Sequence, residues 1–409
     1  MEESKLKTLE EFQALFGNYS YVVTAKVGDP VYGKAKARLI WAAQTAQATF
    51  NLGLKSLLIA SVDRLPYKVE SPQSVEAVRR NLQELYNIQA DFDIMLLYPP
   101  VGEVKERPAG HYELSYEIPR YVFPRTALVH TRDPKLVQRC VAAKIPFLYE
   151  DHDEDHNLSP EIDIRLFDSP LCKGIVAITP NVAERLKMTL TTVGSSKLLV
   201  CDSGVNSAAF LTQTDKSVRW RRFLLKEENR KKLVVYSGGM QKERGIEDIL
   251  QVAVRHPEIM FAFAGGTDRD INFWYDYTRI KRINNVKFLG YLPQSEACSL
   301  QQSADVLLST RANDYRSTIT SPLKFFEYLA SETPIVSTKI NALQNLDTEG
   351  LAVSWYEAGD LIELEKKILT TFQKFPLDGK RFSQNSSFAK NFTWEERQKK
   401  ILKQILDMK

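Results

Sequence analysis

Short apolar runs alternate with helical stretches along most of this chain, and that alternation narrows its possible folds more than any other feature. "YVVTAKV" at 21–27 leads into a helical stretch from about Ala35 to Leu52, which Gly53 stops, and "SLLIASV" at 56–62 follows. A helix near 73–89 leads to "FDIMLLYP" at 92–99, then "TALVH" at 126–130, a helix over 133–143 and "PFLYEDHD" at 146–153. "GIVAITP" at 174–180, a helix from Asn181 and "KLLVCDSGV" at 197–205 close the first half. Strands that alternate with helices predict a parallel sheet with helices on both faces.

The second half repeats this logic without repeating the sequence. "KLVVYSGG" at 232–239, a helix from Gly245 to His256, "MFAFAGG" at 260–266, "VKFLGYL" at 286–292, "ADVLLST" at 304–310 and "TPIVST" at 333–338 form the series. Between the halves, 206–231 holds the charged run "SVRWRRFLLKEENRKK", which has no strand pattern and reads as the connection, a solvated helix being its plainer reading. A length of 409 residues suits two such domains. The expected fold is α/β: two doubly wound Rossmann-like domains, 1–205 and 232–390, facing each other across a cleft. Ligands of such sheets sit at the carboxyl ends of the strands, which places a ligand in that cleft.

Composition removes several function classes. The balance of 55 basic against 51 acidic residues, net +4, offers no ground for nucleic-acid binding. Cys140, Cys172, Cys201 and Cys298 are scattered, with no C-x-x-C and no histidine at ligand spacing, so they read as free thiols in a reducing compartment and not as a metal site. The start, "MEESKLKTLEEFQALFGNYS", lacks the apolar core of a signal peptide, and no apolar run is long enough to span a bilayer. A cytoplasmic protein is expected. Leu6, Leu9, Phe12, Leu15 and Phe16 form a weak amphipathic face, expected to dock on the protein; peripheral contact of the first domain with the inner face of the membrane is the lesser reading.

The residues that carry chemistry cluster at the strand ends of the second half. In "YSGGMQKERG" at 236–245, Gly238 and Gly239 let the backbone approach a ligand, and Lys242 and Arg244 add positive charge beside a helix start. "FAGG", with Gly265 and Gly266, is a second such turn. "SPLKFFEYLASETPIVST" at 321–338 opens a third helix on Ser321–Pro322, Ser as N-cap and Pro in the first turn, with Lys324 close behind. Three such features in one domain point to a phosphate-bearing ligand. They match neither G-x-G-x-x-G nor the P-loop pattern. The third helix poses a problem: Leu323, Phe326 and Ala330 define a buried face, and Glu327 lies on it. A carboxylate there needs a partner.

These segments resemble a family. "VVYSGGMQKERGIEDIL", "VKFLGYLPQSEACSLQQSADVLLST" and "SPLKFFEYLASETPIVST" look like the nucleotide-sugar domain of family-4 (group 1) retaining glycosyltransferases, which have the GT-B fold. "VHTRDPKLVQRCVAAKIPFLYEDHDE", "GIVAITPNVAERL" and "LLVCDSGVNSAAF" resemble the acceptor-side domain, and "NFTWEERQKKILKQIL", within 391–409, the C-terminal helix that crosses back to it.

The resemblance implies roles. Glu327 would bind the ribose hydroxyls, a reason for an inward carboxylate; a structural glutamate capped by backbone N–H groups is the alternative. Thr320, Ser321, Pro322, Leu323 and Lys324 would hold the phosphates, and Arg244 stands where the family has a diphosphate-binding lysine. Tyr291 would lie near the base. His152 matches a histidine near the donor sugar, its alternative being a solvated residue in an acidic loop. His152, Lys324 and Arg244 are thus the catalytic candidates, and Gly28, Gly33, His130 and Arg132 the acceptor-side ones.

Two positions depart from the family: Ile319 replaces the first glutamate of E-x7-E, and Gly239 replaces an arginine. The implied function is metal-independent transfer of a sugar from a nucleoside diphosphate sugar, with retention and without a cofactor, to a glycan or lipid-linked acceptor that the sequence does not name. A non-catalytic nucleotide-sugar-binding GT-B protein and a sugar-nucleotide epimerase are the alternatives. The stretch 99–125, aromatic and basic, would grip the acceptor or simply cover the first domain.

Overall fold

The computed structural model describes residues 19–27, 37–62, 72–97, 126–152, 163–210, 214–225, 232–312, 314–343, 346–376 and 381–407. Gly28, Gly33, the opening amphipathic stretch and the 99–125 segment lie outside these residues. The chain forms two compact units, one of residues 1–201 with 397–409, the other of 202–396.

The first unit is built on a seven-stranded sheet: β1 (Tyr21–Val27), β2 (Ser56–Val62), β3 (Asp93–Leu97), β4 (Val129–Thr131), β5 (Phe147–Asp151), β6 (Cys172–Ala177) and β7 (Leu198–Val200). The order is β3-β2-β1-β4-β5-β6-β7, every pairing parallel. Val22, Val23, Leu57, Leu58 and Ile59 are fully buried, as strands covered on both faces require. Helix α1 (Ala37–Asn51) packs on β1 and β2 through Ala42, Ala43 and Ala46, whose small side chains allow close approach. Gly53, at φ +86°, ends it as the spacing predicts. Asp133 caps α3 (Pro134–Ala142) and Thr179 caps α4 (Pro180–Thr189), each followed by proline at the first helical position; α2 is Pro72–Tyr86.

The second unit has six parallel strands: β8 (Lys232–Ser237), β9 (Ile259–Ala264), β10 (Val286–Gly290), β11 (Val306–Ser309), β12 (Ile335–Thr338) and β13 (Val353–Tyr356), in the order β10-β9-β8-β11-β12-β13. Its helices are α5 (Thr214–Leu225), α6 (Ile246–Arg255), α7 (Asp268–Ile280), α8 (Gln294–Ser303), α9 (Tyr315–Ile319), α10 (Leu323–Ala330), α11 (Leu361–Lys374) and α12 (Ser383–Ala389). The edge strand β13 has no counterpart in the pattern reading, because Val353, Ser354 and Trp355 are only half-buried and show no continuous apolar run.

Helix α5 occupies the middle of 206–231 and belongs to the second unit. It packs on α8, with Leu224 buried, Trp220 Nε1 donating to Glu296 Oε2 at 3.1 Å and Arg221 paired with Asp305 at 2.8 Å. The last helix, α13 (Trp394–Asp407), starts in the second unit and enters the first at Arg397. In the first unit Ile401 is buried with Leu148, Val176 and Cys201. None of the four cysteines forms a disulfide, and all are buried.

Candidate functional site

In each sheet the strand order reverses beside the first strand, between β1 and β4 and between β8 and β11. Such a reversal opens a crevice at the carboxyl ends, where ligands of doubly wound sheets bind. In the second unit Gly238, Gly239, Arg244, Gly265, Gly266 and Arg311 all follow strands at that end.

The turns after β8 and β9 touch backbone to backbone. Gly266 N donates to Gly238 O at 3.0 Å and Gly238 N to Ala264 O at 2.8 Å. A Cβ on Gly265, which sits at φ +102°, would overlap Gly238 O; a Cβ on Gly238 would overlap Lys324 Nζ. Gly265→Ala is therefore expected to cost about 1–3 kcal/mol through strain and overpacking. The denaturant midpoint reads it, and an unchanged midpoint would contradict this packing.

Lys324 reaches back over the first turn. Its Nζ lies 4.0 Å from the Tyr236 ring centroid and donates to Tyr236 Oη at 3.0 Å, while Tyr236 Oη donates to Gly239 O at 2.6 Å. Burial first, then Arg244, push the Lys324 ammonium down to about 7, with Arg311 adding to that effect and Glu327 opposing it. Burial pushes the Glu327 carboxyl up to about 7, against the pull of Lys324.

Glu327 is not among the fully buried side chains of its helix. The buried side chains of α10 are Phe325, Phe326, Tyr328, Leu329 and Ala330, whereas Leu323, Lys324 and Glu327 are half-buried. The Glu327 carboxylate makes no side-chain hydrogen bond or ion pair to any described residue, and it is half-buried where its neighbours on the helix are fully covered. The expected N-cap is also corrected. Pro322 takes that position with no side-chain cap, because the Ser321 hydroxyl is used elsewhere: it accepts from Ser203 N at 2.9 Å and donates to Asp202 Oδ1 at 3.5 Å.

Arg244 does not open its helix. It ends a short 3-10 turn, Lys242–Arg244, and Gly245 at φ +70° intervenes before α6. Its carbonyl accepts from Thr310 Oγ1 at 2.6 Å, which brings the ends of β8 and β11 together. Arg311, next along, was not singled out by sequence. It is 9% exposed, and its Nη2 donates to Thr320 Oγ1 at 3.2 Å. Its place directly after the run "ADVLLST" at a strand end was the available signal. Tyr291 is 37% exposed.

His130 and His152 lie in the first unit, at β4 and just past β5. Both meet Glu150, a fully buried carboxylate: His152 Nε2 lies 2.6 Å from Oε1 and His130 Nε2 2.9 Å from Oε2. Arg397 Nη2, from α13, is 2.6 Å from Oε1. Burial pushes the Glu150 carboxyl up, but Arg397 and the two histidines together hold it well below the usual carboxylate range. An ionised Glu150 only accepts, so its 2.6 Å hydrogen bond with His152 places a proton on Nε2 of that ring. Burial lowers the His130 pKa, and its Nδ1 is hydrogen-bonded with Tyr21 Oη at 2.9 Å. Trp41 meets both rings edge-on, and the Arg132 guanidinium lies 5.3 Å from the Trp41 ring centre. Sequence named His130, Arg132 and His152 but not Glu150 or Arg397, a pair that lies 247 residues apart in the chain.

Residues 231–374 match the family described as Glycosyl transferases group 1. The structure is similar to a glycosyltransferase from Rickettsia africae, with TM-score 0.67 and 15% sequence identity, covering 96% of this chain and 99% of that one. It is similar to HepE of Anabaena, solved in complex with UDP-glucose (TM-score 0.64, 14% identity, 95% and 100% covered). Sucrose-phosphate synthase of Thermosynechococcus elongatus is a third such structure (TM-score 0.63, 14% identity, 95% and 99% covered). No curated protein is matched by the sequence. The fold is that of the GT-B class, with two Rossmann-like domains. No helix among the described residues is long and apolar enough to cross a membrane.

Proposed function

We propose that the protein is a glycosyltransferase that moves a sugar from a nucleoside diphosphate donor to an acceptor, with retention of configuration and without a metal ion. One observation carries this reading. At the strand-order reversal of the unit that matches group 1 glycosyltransferases, Lys324 and Arg244 stand beside two glycine turns, with Glu327 one helical turn away. Neither cation forms an ion pair with a carboxylate among the described residues.

Departure of a nucleoside diphosphate puts negative charge on the leaving phosphate. Fixed cations aimed at that charge stabilise the transition state more than the ground state, which is what raises a rate. Lys324 and Arg244 would take this role. The unbonded Glu327 carboxylate would accept from ribose hydroxyls, with Gly238, Gly239, Gly265 and Gly266 allowing close approach and the 320–323 segment lining the phosphates. His152, held by Glu150, would serve the sugar and Arg132 the acceptor, whereas His130, fully buried between Glu150 and Tyr21, would act only through Glu150. HepE of Anabaena, similar in fold, binds UDP-glucose, which favours a nucleoside diphosphate sugar as donor.

Thermal shift with UDP, GDP, ADP and their sugars tests the donor site, since a ligand that binds the native state raises apparent stability. No shift with any of them overturns the reading. Labelled donor then separates transfer from binding alone, the outcome that Ile319 and Gly239 would favour. Glu327→Gln is expected to weaken nucleotide binding by about 1.5–3 kcal/mol, the range for a hydrogen bond to a charged group, with little change in the unliganded melting temperature. Normal nucleotide affinity in that variant would make Glu327 structural.

A further inference from the structure

Arg311 follows β11 at the strand-order reversal, where the backbone on either side of it meets the 243–245 turn: Thr310 Oγ1 donates to Arg244 O at 2.6 Å and Ala312 N to Glu243 O at 2.8 Å. It is 9% exposed, a degree of burial that normally requires a carboxylate partner for a guanidinium. No carboxylate among the described residues pairs with it, and its Nε is buried without a hydrogen-bond partner. The Arg244 Nε is in the same condition.

The acidic groups nearest in effect are committed elsewhere. Glu243 pairs with Arg316 at 3.1 Å, and Asp314 Oδ1 accepts from Ser317 N at 2.8 Å. A second cation acts on Arg311 more strongly than either carboxylate. Burial and then Arg244 lower its pKa to about 10, and Arg311 in turn depresses Lys324. Arg311, Arg244 and Lys324 thus act on one another at these strand ends, and no carboxylate among the described residues forms an ion pair with any of the three. Mutual repulsion of the three destabilises the unliganded fold, so the arrangement is accounted for by a polyanion that binds there.

We infer that Arg311 is a phosphate ligand of the donor site, the third cation that makes the site select a nucleoside diphosphate over a monophosphate. This rests on the donor-site reading above and adds to it. A monophosphate carries about two charges and a diphosphate about three near neutral pH, given a second phosphate pKa near 6. Arg244 and Lys324 match the first; the added guanidinium matches the second, and its planar fork suits phosphate oxygens. The bond to Thr320 leaves Nε and Nη1 of Arg311 for that purpose and fixes the plane of the fork.

The test uses the full chain, wild type and Arg311→Gln, with UDP, UMP and uridine, then the GDP and ADP series, by calorimetry and thermal shift. Gln keeps a donor for Thr320 and removes the charge. Expected are a tenfold or greater loss of diphosphate affinity, a smaller loss for the monophosphate and none for the nucleoside. The melting temperature of unliganded Arg311→Gln should equal or exceed that of the wild type, because a buried like charge has gone. If the wild type binds a diphosphate and Arg311→Gln binds it with an unchanged diphosphate-to-monophosphate ratio, this inference falls and the donor site stands. A lowered unliganded melting temperature with that ratio unchanged makes Arg311 a structural tie to Thr320. If the wild type binds none of the nucleotides, the donor site falls and this inference with it.

Discussion

Lys324→Ala is expected to lower the transfer rate by about 10²–10³-fold, the usual cost of removing one preorganised charge-stabilising donor. Donor affinity should fall much less. The reason is where the ammonium stands. Its Nζ is held over Tyr236 by a hydrogen bond and ring contact, with Gly238 leaving space for it, so it is positioned before any ligand arrives. Charge on the leaving phosphate grows toward the transition state, and a fixed cation gains most there. The free protein gains little from this cation, since burial and Arg244 both disfavour its charged form. The unliganded melting temperature of Lys324→Ala should therefore hold or rise. Single-turnover kinetics beside equilibrium binding checks the split. Wild-type turnover would remove Lys324 from the chemistry, and equal loss of rate and affinity would make it a ground-state phosphate contact.

Arg397→Ala is expected to be the most destabilising change in the first unit. It leaves Glu150 fully buried without its strongest cation, and breaking a buried ion pair from one side costs about 3–5 kcal/mol. The pH dependence follows from the sign of the shift. The folded-state pKa of Glu150 is held below its ordinary value of 4.5, so the ion pair stabilises the fold fully above that pH. As pH falls through the lowered folded-state value the carboxyl protonates and the contribution is lost. The gap between wild type and Arg397→Ala should be widest above about pH 5 and close below it. Denaturant unfolding at several pH values measures it, and a gap that does not change with pH would place the effect in packing alone. Glu150→Gln combined with Arg397→Met should recover much of the loss, because neither charge is then buried.

Local pattern reaches a certain distance into this molecule. The runs at 21–27, 56–62 and 232–237 form strands where apolar continuity predicts them, because a strand covered on both faces must be apolar throughout. Gly53, Pro134 and Pro180 mark helix ends through their own backbone preferences, which need no tertiary partner. The glycine turns after β8 and β9 and the charge of Arg244 and Lys324 were equally legible, since their chemistry lies in residue type next to a strand end. Tertiary structure decided the rest. Ser321 is a good cap by local rule, yet its hydroxyl bonds residues 202–203, a choice fixed by proximity of segments far apart in sequence. Glu327 shares helical spacing with Leu323 and Ala330, yet it is only half-buried, because spacing defines a face and only packing decides what covers it. Arg311 beside Arg244, and Arg397 beside Glu150, are invisible in sequence for the same reason: the field at a buried charge is a sum over neighbours in space.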